Sequence, residues 1–399
     1  MDKLFVEDLD LKGKRVLLRV DFNVPMDNEQ RVTDPTRIEA ALPTIKYILD
    51  QGGMPILMSH FGRPKAAFQP ELSLRPCAHV LSDLLKRPVT MAPDSIGDEV
   101  EDLVAAMKPG SIVLLENLRF HRAEKHPEEG PEFAKELASF GDCYVDDAFG
   151  CCHRNHSSIT ELPKYFEGAS AAGYLLKKEV EMLDHLLKSP QRPFVAIIGG
   201  AKISTKIGIL KALASKADVL LIGGGMSYTF LLAQGHEVGK SIVEPNEVPT
   251  AKEILSKAKK ILLPVDIAAI KEFSEDAPFE VVSAQSIGKD QEGVDIGPKT
   301  IKLFSDEIAK AKTVLWNGPV GVFEFIPFAR GTVALAHAIA KAHCESVIGG
   351  GDSIAAIKKA GVEKEITHIS TGGGATLEYI ELGTLPGIEA LSKRVSTKL

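Results

Sequence analysis

Short apolar runs alternate along this chain with longer stretches in which apolar positions recur every three to four residues. In the first half, Arg15 to Val20, Met54 to Ser59, Ser111 to Leu115 and Asp142 to Asp146 read as strands, while Thr36 to Gln51, Leu74 to Lys86 and Glu132 to Phe140 read as helices. The strands are apolar on consecutive positions, so both faces need cover, and that predicts a parallel sheet between two layers of helices. Ligands of such sheets sit at the carboxyl ends of the strands. From Lys177 to Lys188, the residues Val180, Leu183, Leu186 and Leu187 share one side of a helix that stops before Ser189-Pro190. A second alternation follows, with strands at Phe194 to Ile198, Asp218 to Ile222, Ile261 to Leu263, Thr313 to Trp316, Ser346 to Ile348 and Ile366 to Ile369. The pattern predicts an α/β protein of two Rossmann-like parallel-sheet domains joined by a hinge helix. Their expected bounds are 1–175, a connector at 176–189, and 190–382.

The strands of the second half end on glycines. These are Gly199-Gly200, Gly223-Gly224-Gly225, Gly349-Gly350-Gly351-Asp352-Ser353 and Ser370-Thr371-Gly372-Gly373-Gly374. A strand that stops at glycines and turns into a helix leaves unpaired N–H groups at the positive end of the helix dipole, a ready anion site. Several such turns predict one phosphate-rich ligand held from several sides. Lys202 and Lys206, four apart, are expected on one face of the helix after Gly200, where two ammonium groups repel unless an anion lies between them. The plain alternative is a tight turn with two solvated lysines. Asp352 suits either a helix N-cap or a carboxylate that holds Mg²⁺ against nucleotide phosphates. Glu324, after Trp316-Asn317-Gly318-Pro319, is either part of a packed loop or an acceptor for ribose hydroxyls. No Gly-x-Gly-x-x-Gly occurs, and Gly235 to Ser241 is one residue too short for a P-loop and follows no clear strand.

Three strand ends in the first half carry polar clusters: Arg19-Val20-Asp21-Phe22-Asn23, Ser59-His60-Phe61-Gly62-Arg63-Pro64-Lys65 and Glu116-Asn117-Leu118-Arg119. Each contains an arginine, and of thirteen arginines in the chain ten precede residue 155. Arginine makes fixed, bidentate contacts to carboxylate and phosphate, so these clusters predict a shared pocket for a small polyanion. With 399 residues, two domains of ordinary size are expected. A net charge of -7 gives no global attraction to nucleic acid or to an anionic membrane. Without a signal-peptide pattern or a spanning apolar run, a cytoplasmic location is expected. The five cysteines lack a disulfide framework, and Cys151-Cys152-His153 lacks the spacing of a zinc site. Arg154 and His156 read instead as anion contacts.

Taken in order, these stretches closely resemble the phosphoglycerate kinase family over essentially the whole chain. The residues that carry the resemblance are Arg19 to Pro25, Thr36-Arg37-Ile38, Ser59 to Lys65, Glu116 to His121, Asp146 to Gly150, His153-Arg154, Gly199 to Lys202, Gly223 to Met226, Trp316 to Glu324, Gly349 to Ser353 and Ser370 to Gly374. The resemblance implies a cytoplasmic, monomeric hinge kinase that moves a phosphoryl group between 1,3-bisphosphoglycerate and ADP, giving 3-phosphoglycerate and ATP. It implies that Asp21, Phe22, Asn23, Arg37, His60, Phe61, Gly62, Arg63, Arg119 and Arg154 hold phosphoglycerate. It further implies that Lys206, Glu324, Gly350, Gly351, Asp352 and Ser353 hold nucleotide with Mg²⁺ on Asp352. Arg37, Lys202 and the backbone of Gly372 and Gly373 would meet the phosphoryl group in transit, and residues from about 383 to 399 would return to the first domain. One departure is Cys151-Cys152, where the family pattern has small residues, and it raises the expectation of oxidation sensitivity beside Arg154. The rival readings are a non-catalytic two-domain binding protein and a nicotinamide dehydrogenase, the latter disfavoured by the missing glycine fingerprint.

Overall fold

The computed structural model describes residues 2–65 and 67–394. Residues up to Glu181, together with those from Thr384 onward, form one compact unit, and Met182–Gly383 form the other.

The first unit runs β1 (Arg15–Arg19), α1 (Thr36–Asp50), β2 (Met54–Met58), α2 (Arg75–Leu85), β3 (Thr90–Met91), α3 (Asp98–Ala105), β4 (Val113–Leu114), α4 (Pro131–Ser139), β5 (Cys143–Asp146) and β6 (Ser170–Ala172). Its six strands are all parallel, in the order β3-β4-β2-β1-β5-β6. Val16, Leu17 and Leu18 of β1 are fully buried, as the unbroken apolar run requires. Arg19 pairs with Met58 on one side and Asp146 on the other, so β1, β2 and β5 end flush. The chain leaves β1 toward β2 and later returns to its opposite side as β5. That reversal opens a crevice at the carboxyl ends of these strands, where loops diverge and a ligand can enter. Residues near the C-terminus complete this unit: Gly387 N–H donates to Cys152 O (2.8 Å), and the Lys3 ammonium donates to the carbonyls of Glu389 (2.7 Å) and Leu391 (2.8 Å).

The division between the units falls inside α5 (Tyr174–Lys188). This helix starts three residues before the position its apolar stripe predicts. Asp147 supplies the reason, since its Oδ1 accepts from the N–H groups of Leu175 (2.8 Å) and Leu176 (3.2 Å), while Thr44 Oγ1 accepts from Tyr174 N–H (2.9 Å). The cap therefore comes from residues remote in sequence.

The second unit begins with β7 (Phe194–Ile198), α6 (Ile207–Lys216), β8 (Val219–Ile222), α7 (Met226–Ala233), β9 (Glu237–Val238), α8 (Val248–Lys257) and β10 (Ile261–Leu262). It continues with β11 (Asp266–Ile270), β12 (Glu280–Ser283), β13 (Ser286–Ile287), β14 (Glu292–Ile296), α9 (Pro298–Ile308), β15 (Thr313–Asn317), α10 (Arg330–Lys341), β16 (Glu345–Gly349), α11 (Gly351–Ala360), β17 (His368–Ile369) and α12 (Gly374–Leu382). Its main sheet is again six parallel strands, β10-β8-β7-β15-β16-β17, over a core that includes Val195, Ile197, Leu221, Val314, Trp316 and Ile348. Ile198 pairs with both Asn317 and Ile222, so the glycine turns after β7, β8 and β15 start at one level. An antiparallel sheet, β12-β11-β14, was not expected from the sequence. Its β12 is largely exposed and so lacks the continuous apolar run that marks a buried parallel strand.

Candidate functional site

In the first unit, the three polar clusters converge. Asn23, His60, Gly62, Arg63, Arg119, Lys125, Arg154 and His156 line a cavity of about 380 Å³ in which, among the described residues, no acidic one takes part. Asn23 Oδ1 accepts from Gly62 N–H (2.9 Å) and ties the loop after β1 to the loop after β2. Asn117 does the same for the third loop, with its Oδ1 accepting from Phe61 N–H (2.9 Å) and its Nδ2 donating to Phe61 O (2.8 Å). The clusters thus share a pocket because two asparagines bolt the loops together.

The electrostatics of the cavity favour an anionic occupant. Burial and the neighbouring Arg154 pull Arg119 down to about 10, and its Nε is buried without a partner. Burial and Arg19 pull His156 down to about 3 and hold His60 well below the usual imidazole range. Cations and neutral imidazoles crowded in this way are relieved by an anionic ligand. Asp21, His60 and Cys151 place an oxygen, a nitrogen and a sulfur within 4.8 Å of one another. They make a poor metal site, because Arg19 occupies His60 Nδ1 (3.3 Å) and burial pushes the Cys151 thiol up to about 12, which keeps it protonated.

Other expected contacts fall differently. Phe22 and Phe61 bury their rings in the core, and their N–H groups go to Ser59 Oγ (2.8 Å) and Asn117 Oδ1, so both brace loops and offer no side chain to a ligand. Arg37, in the first turn of α1, pairs with Asp21 Oδ2 (3.1 Å) and Asn23 O (2.9 Å) outside the residues that line the cavity. Three lining residues, Pro64, Lys125 and His156, were absent from the set of phosphoglycerate contacts. His156 was readable as an anion contact from its place after Arg154. Lys125 carries no pattern, since the 3₁₀ turns around it are set by tertiary packing.

The expected oxidation sensitivity meets a contrary environment. Cys151 and Cys152 are fully buried, and burial raises both thiols, Cys151 to about 12 and Cys152 well above the usual thiol range. Thiolate is the reactive form, so both should be inert. A disulfide-exchange reagent on the native protein is expected to modify Cys344, the partly exposed one, and to reach Cys151 and Cys152 only after denaturation. Rapid labelling of Cys151 in the native state, read by peptide mass, would contradict this.

In the second unit, Gly200, Gly224, Gly225, Tyr228, Ile242, Phe273, Glu324 and Asp352 are among the residues around a cavity of about 250 Å³. Gly224 has φ +71°, and a Cβ there would lie 2.8 Å from Gly200 N and Pro319 O, so the turns after β7, β8 and β15 pack backbone to backbone. The expected shared helix face for Lys202 and Lys206 is not formed. The helix α6 starts only at Ile207, and Lys202 sits in an exposed turn anchored by buried Ile203 and by Ser204, whose N–H (3.0 Å) and hydroxyl (2.5 Å) both donate to the Glu244 carboxylate. A remote acid thus overrides the local helical pattern. Lys206 folds inward instead, donating to Gly199 O (2.8 Å) and Asn317 Oδ1 (2.5 Å). Burial lowers it to about 8, against the pull of Asp352.

Asp352 is not an N-cap. Gly350, with φ +92°, holds that position and Asp352 lies exposed in the first turn of α11 without a capping bond. A free carboxylate at a glycine turn, facing a cavity, is a donor set that fits a hard cation shared with phosphates. Ser353 is spent internally, its Oγ accepting from Gly318 N–H (2.6 Å). Gly373, with φ +54°, caps α12 in the turn after β17; the Gly372 N–H donates to Ser370 Oγ (3.1 Å), and the turn does not line this cavity.

The family model for phosphoglycerate kinase matches residues 6–382. The phosphoglycerate kinase of Dictyoglomus turgidum is 53% identical over 396 residues, covering 98% of each chain, and that of Moorella thermoacetica is 51% identical over 398 residues, covering 99% of this chain and all of its own. Among solved structures, phosphoglycerate kinase from Coxiella burnetii superposes with a TM-score of 0.87 at 39% identity, and that from Pyrococcus horikoshii OT3 with 0.82 at 32%, each covering 97% of this chain and 98% of its own.

Proposed function

The chain belongs to the phosphoglycerate kinase family, and on that premise we propose which of its residues carry the family's reaction. It is a phosphotransferase with a carboxyl group as acceptor. In glycolysis it moves a phosphoryl group reversibly from 1,3-bisphosphoglycerate to ADP, giving 3-phosphoglycerate and ATP. The observation that carries the site assignment is the acid-free cavity where Arg63, Arg119, Arg154, Lys125 and His60 converge, which suits a molecule bearing both phosphate and carboxylate.

Phosphoglycerate is assigned to this cavity, with Asn23 and the Gly62 loop shaping it. The nucleotide is assigned to the cavity lined by Gly200, Gly224, Gly225, Glu324 and Asp352, where glycine turns allow close approach to phosphates. Adenosine is assigned to the surface that Tyr228, Ile242 and Phe273 contribute to this cavity, which they make partly apolar. Mg²⁺ would be held by Asp352 together with nucleotide phosphates, and when bound it supplies neutralisation of phosphate charge. Lys206 is half-buried beside Gly199 and Asn317, and an anionic phosphate would draw its ammonium outward.

Phosphoryl transfer asks mainly for in-line alignment and for charge stabilisation on the equatorial oxygens. The leaving group of an acyl phosphate is a carboxylate, so no general acid is required, and no titrating relay is assigned. Lys202, Arg37 and the Gly372 and Gly373 amides are assigned to the phosphoryl group in transit, the two side chains for their positive charge and the amides for their N–H donors, of which that of Gly372 would leave Ser370 Oγ for the ligand. Since Arg37 belongs to one unit and Lys202 to the other, turnover requires the units to close on both substrates and shed water. X-ray scattering is expected to give a smaller radius of gyration with 3-phosphoglycerate and Mg-ATP together than without them, and an unchanged radius would count against closure. The reading as a cytoplasmic monomer rests on the family resemblance.

A coupled assay tests the function: ATP should be consumed only when 3-phosphoglycerate and Mg²⁺ are both present. ATP use without phosphoglycerate, or none with it, would overturn the reading.

A further inference from the structure

Arg19 stands in the most conspicuous polar cluster of the sequence, yet it cannot grip a substrate. Its side chain is fully buried and each of its three guanidinium nitrogens already has a partner. Nε donates to Ser158 Oγ (2.8 Å), NH1 to the Val20 carbonyl, and NH2 reaches His60 Nδ1 (3.3 Å). Ser158 in turn donates through its hydroxyl to Glu124 Oε1 (2.6 Å) and through its N–H to Glu124 Oε2 (2.9 Å). Glu124 is buried as completely as Arg19, and its Oε1 lies 3.8 Å from the guanidinium.

The direction of every bond in this chain is fixed by chemistry. Guanidinium has donors only, so Ser158 Oγ must accept from it, and the one serine proton is left for the carboxylate. The same constraint falls on the imidazole, whose Nδ1 can meet a donor-only partner only through its lone pair. The Cys151 thiol, 3.7 Å from the same nitrogen, is a second donor to it. The ring proton must then reside on Nε2. Among the described residues Nε2 has no protein partner, and the ring lines the arginine-rich cavity.

We propose that the buried relay Glu124, Ser158, Arg19 fixes His60 as the neutral Nε2–H tautomer, making it a hydrogen-bond donor into the cavity. The inference rests on the reading of that cavity as the phosphoglycerate site. Arg19 and Glu124 are positioning residues that act through His60.

The other charged and titratable groups around the ring agree with a neutral donor. Arg119, Arg154 and His156 act on it from the cavity side and Arg19 from beneath, and each disfavours an imidazolium. Asp21, the acid within 4.8 Å, is already paired with Arg37. A neutral Nε2–H adds a donor for an anionic oxygen without adding charge to a crowd of cations. The opposite tautomer would set two donors against each other at Nδ1 and turn a lone pair toward the ligand.

Nitrogen-15 histidine spectra of the ligand-free protein test the tautomer independently of activity. His60 is expected to show the Nε2–H pattern, unchanged between about pH 5 and 8. The double variant Arg19→Met with Glu124→Gln removes both buried charges together, so that neither is left unpaired. It is expected to mix the tautomers and raise the KM for 3-phosphoglycerate about 10- to 100-fold, the range for a lost hydrogen bond to a charged group, with the KM for ATP within about twofold of wild type. A purely structural role would lower thermal stability but leave both the tautomer and that KM split unmoved, which overturns the proposal. If the variant does not fold, the wild-type spectrum decides alone, since an Nδ1–H or doubly protonated His60 at neutral pH overturns the idea. Should the tautomer be as expected while the cavity fails to bind 3-phosphoglycerate, the site assignment is at fault and the relay stands.

Discussion

Lys202→Ala is expected to lower kcat about 100- to 1000-fold while the protein stays folded, the loss typical of removing one preorganised charge stabiliser. The turn that carries Lys202 supports both halves of that expectation. Its shape is set by neighbours, with Ile203 fully buried, Ser204 clamped by Glu244 and Thr205 Oγ1 donating to Lys202 O (2.8 Å). The lysine side chain itself is exposed and contributes little to that shape. Truncating it should therefore leave the melting temperature within a few degrees, because substitutions at exposed positions away from packing rarely exceed about 0.5 kcal/mol. The loss should fall on kcat rather than on the KM values, since the charge is assigned to the group in transit. Turnover near wild type, with the fold verified by circular dichroism, would remove Lys202 from the transfer site.

The same turn shows where sequence and structure part. Strands of continuous apolar residues were legible in type and near position because burial on both faces leaves a local trace. The glycine turns were legible because a strand that ends flush against others leaves room only for backbone, as at Gly224. What the pattern could not show was set by partners remote in the chain. Glu244, forty positions beyond Ser204, stops the helix from starting at Lys202. Asp147 starts α5 early from 28 positions away. The antiparallel β12 leaves only a weak trace, since most of its side chains face solvent.

A similar limit applies to charge. Counting arginines pointed to an anion site in the first unit but treated them as equivalent. Geometry separates them by what each donates to. Arg63, Arg119 and Arg154 line the cavity, Arg19 is spent on Ser158, Val20 and His60, and Arg122 pairs with Glu129 at the surface. Burial of Arg19 with Glu124 is tolerable only because each is hydrogen-bonded, and removing either alone leaves an uncompensated buried charge. The cavity thus has two layers, a lower one of hydrogen-bonded groups and an upper one of cations that, among the described residues, form no ion pair.

Arg37 belongs to neither layer, and its arrangement leads to the second large effect. One nitrogen, NH1, makes both of its contacts, to Asp21 Oδ2 and Asn23 O. Among the described residues NH2 and Nε have no hydrogen-bond partner, so a planar fork is held in place from one corner while its remaining donors stay available. That suits a group which must bind an incoming phosphoryl oxygen only as charge develops there. Arg37→Ala is accordingly expected to lower kcat about 100- to 1000-fold. The ion pair with Asp21 is partly exposed, so its loss should cost at most about 1 kcal/mol of stability. Arg37→Lys separates position from charge: an ammonium can restore attraction but not the planar fork, and recovery should be partial. Steady-state kinetics in both directions should show the kcat loss alike, because a residue acting on the shared transition state serves forward and reverse transfer equally. A variant that binds 3-phosphoglycerate weakly yet reaches wild-type kcat at saturation would make Arg37 a ground-state binding residue only, and its assignment to the moving group would fall.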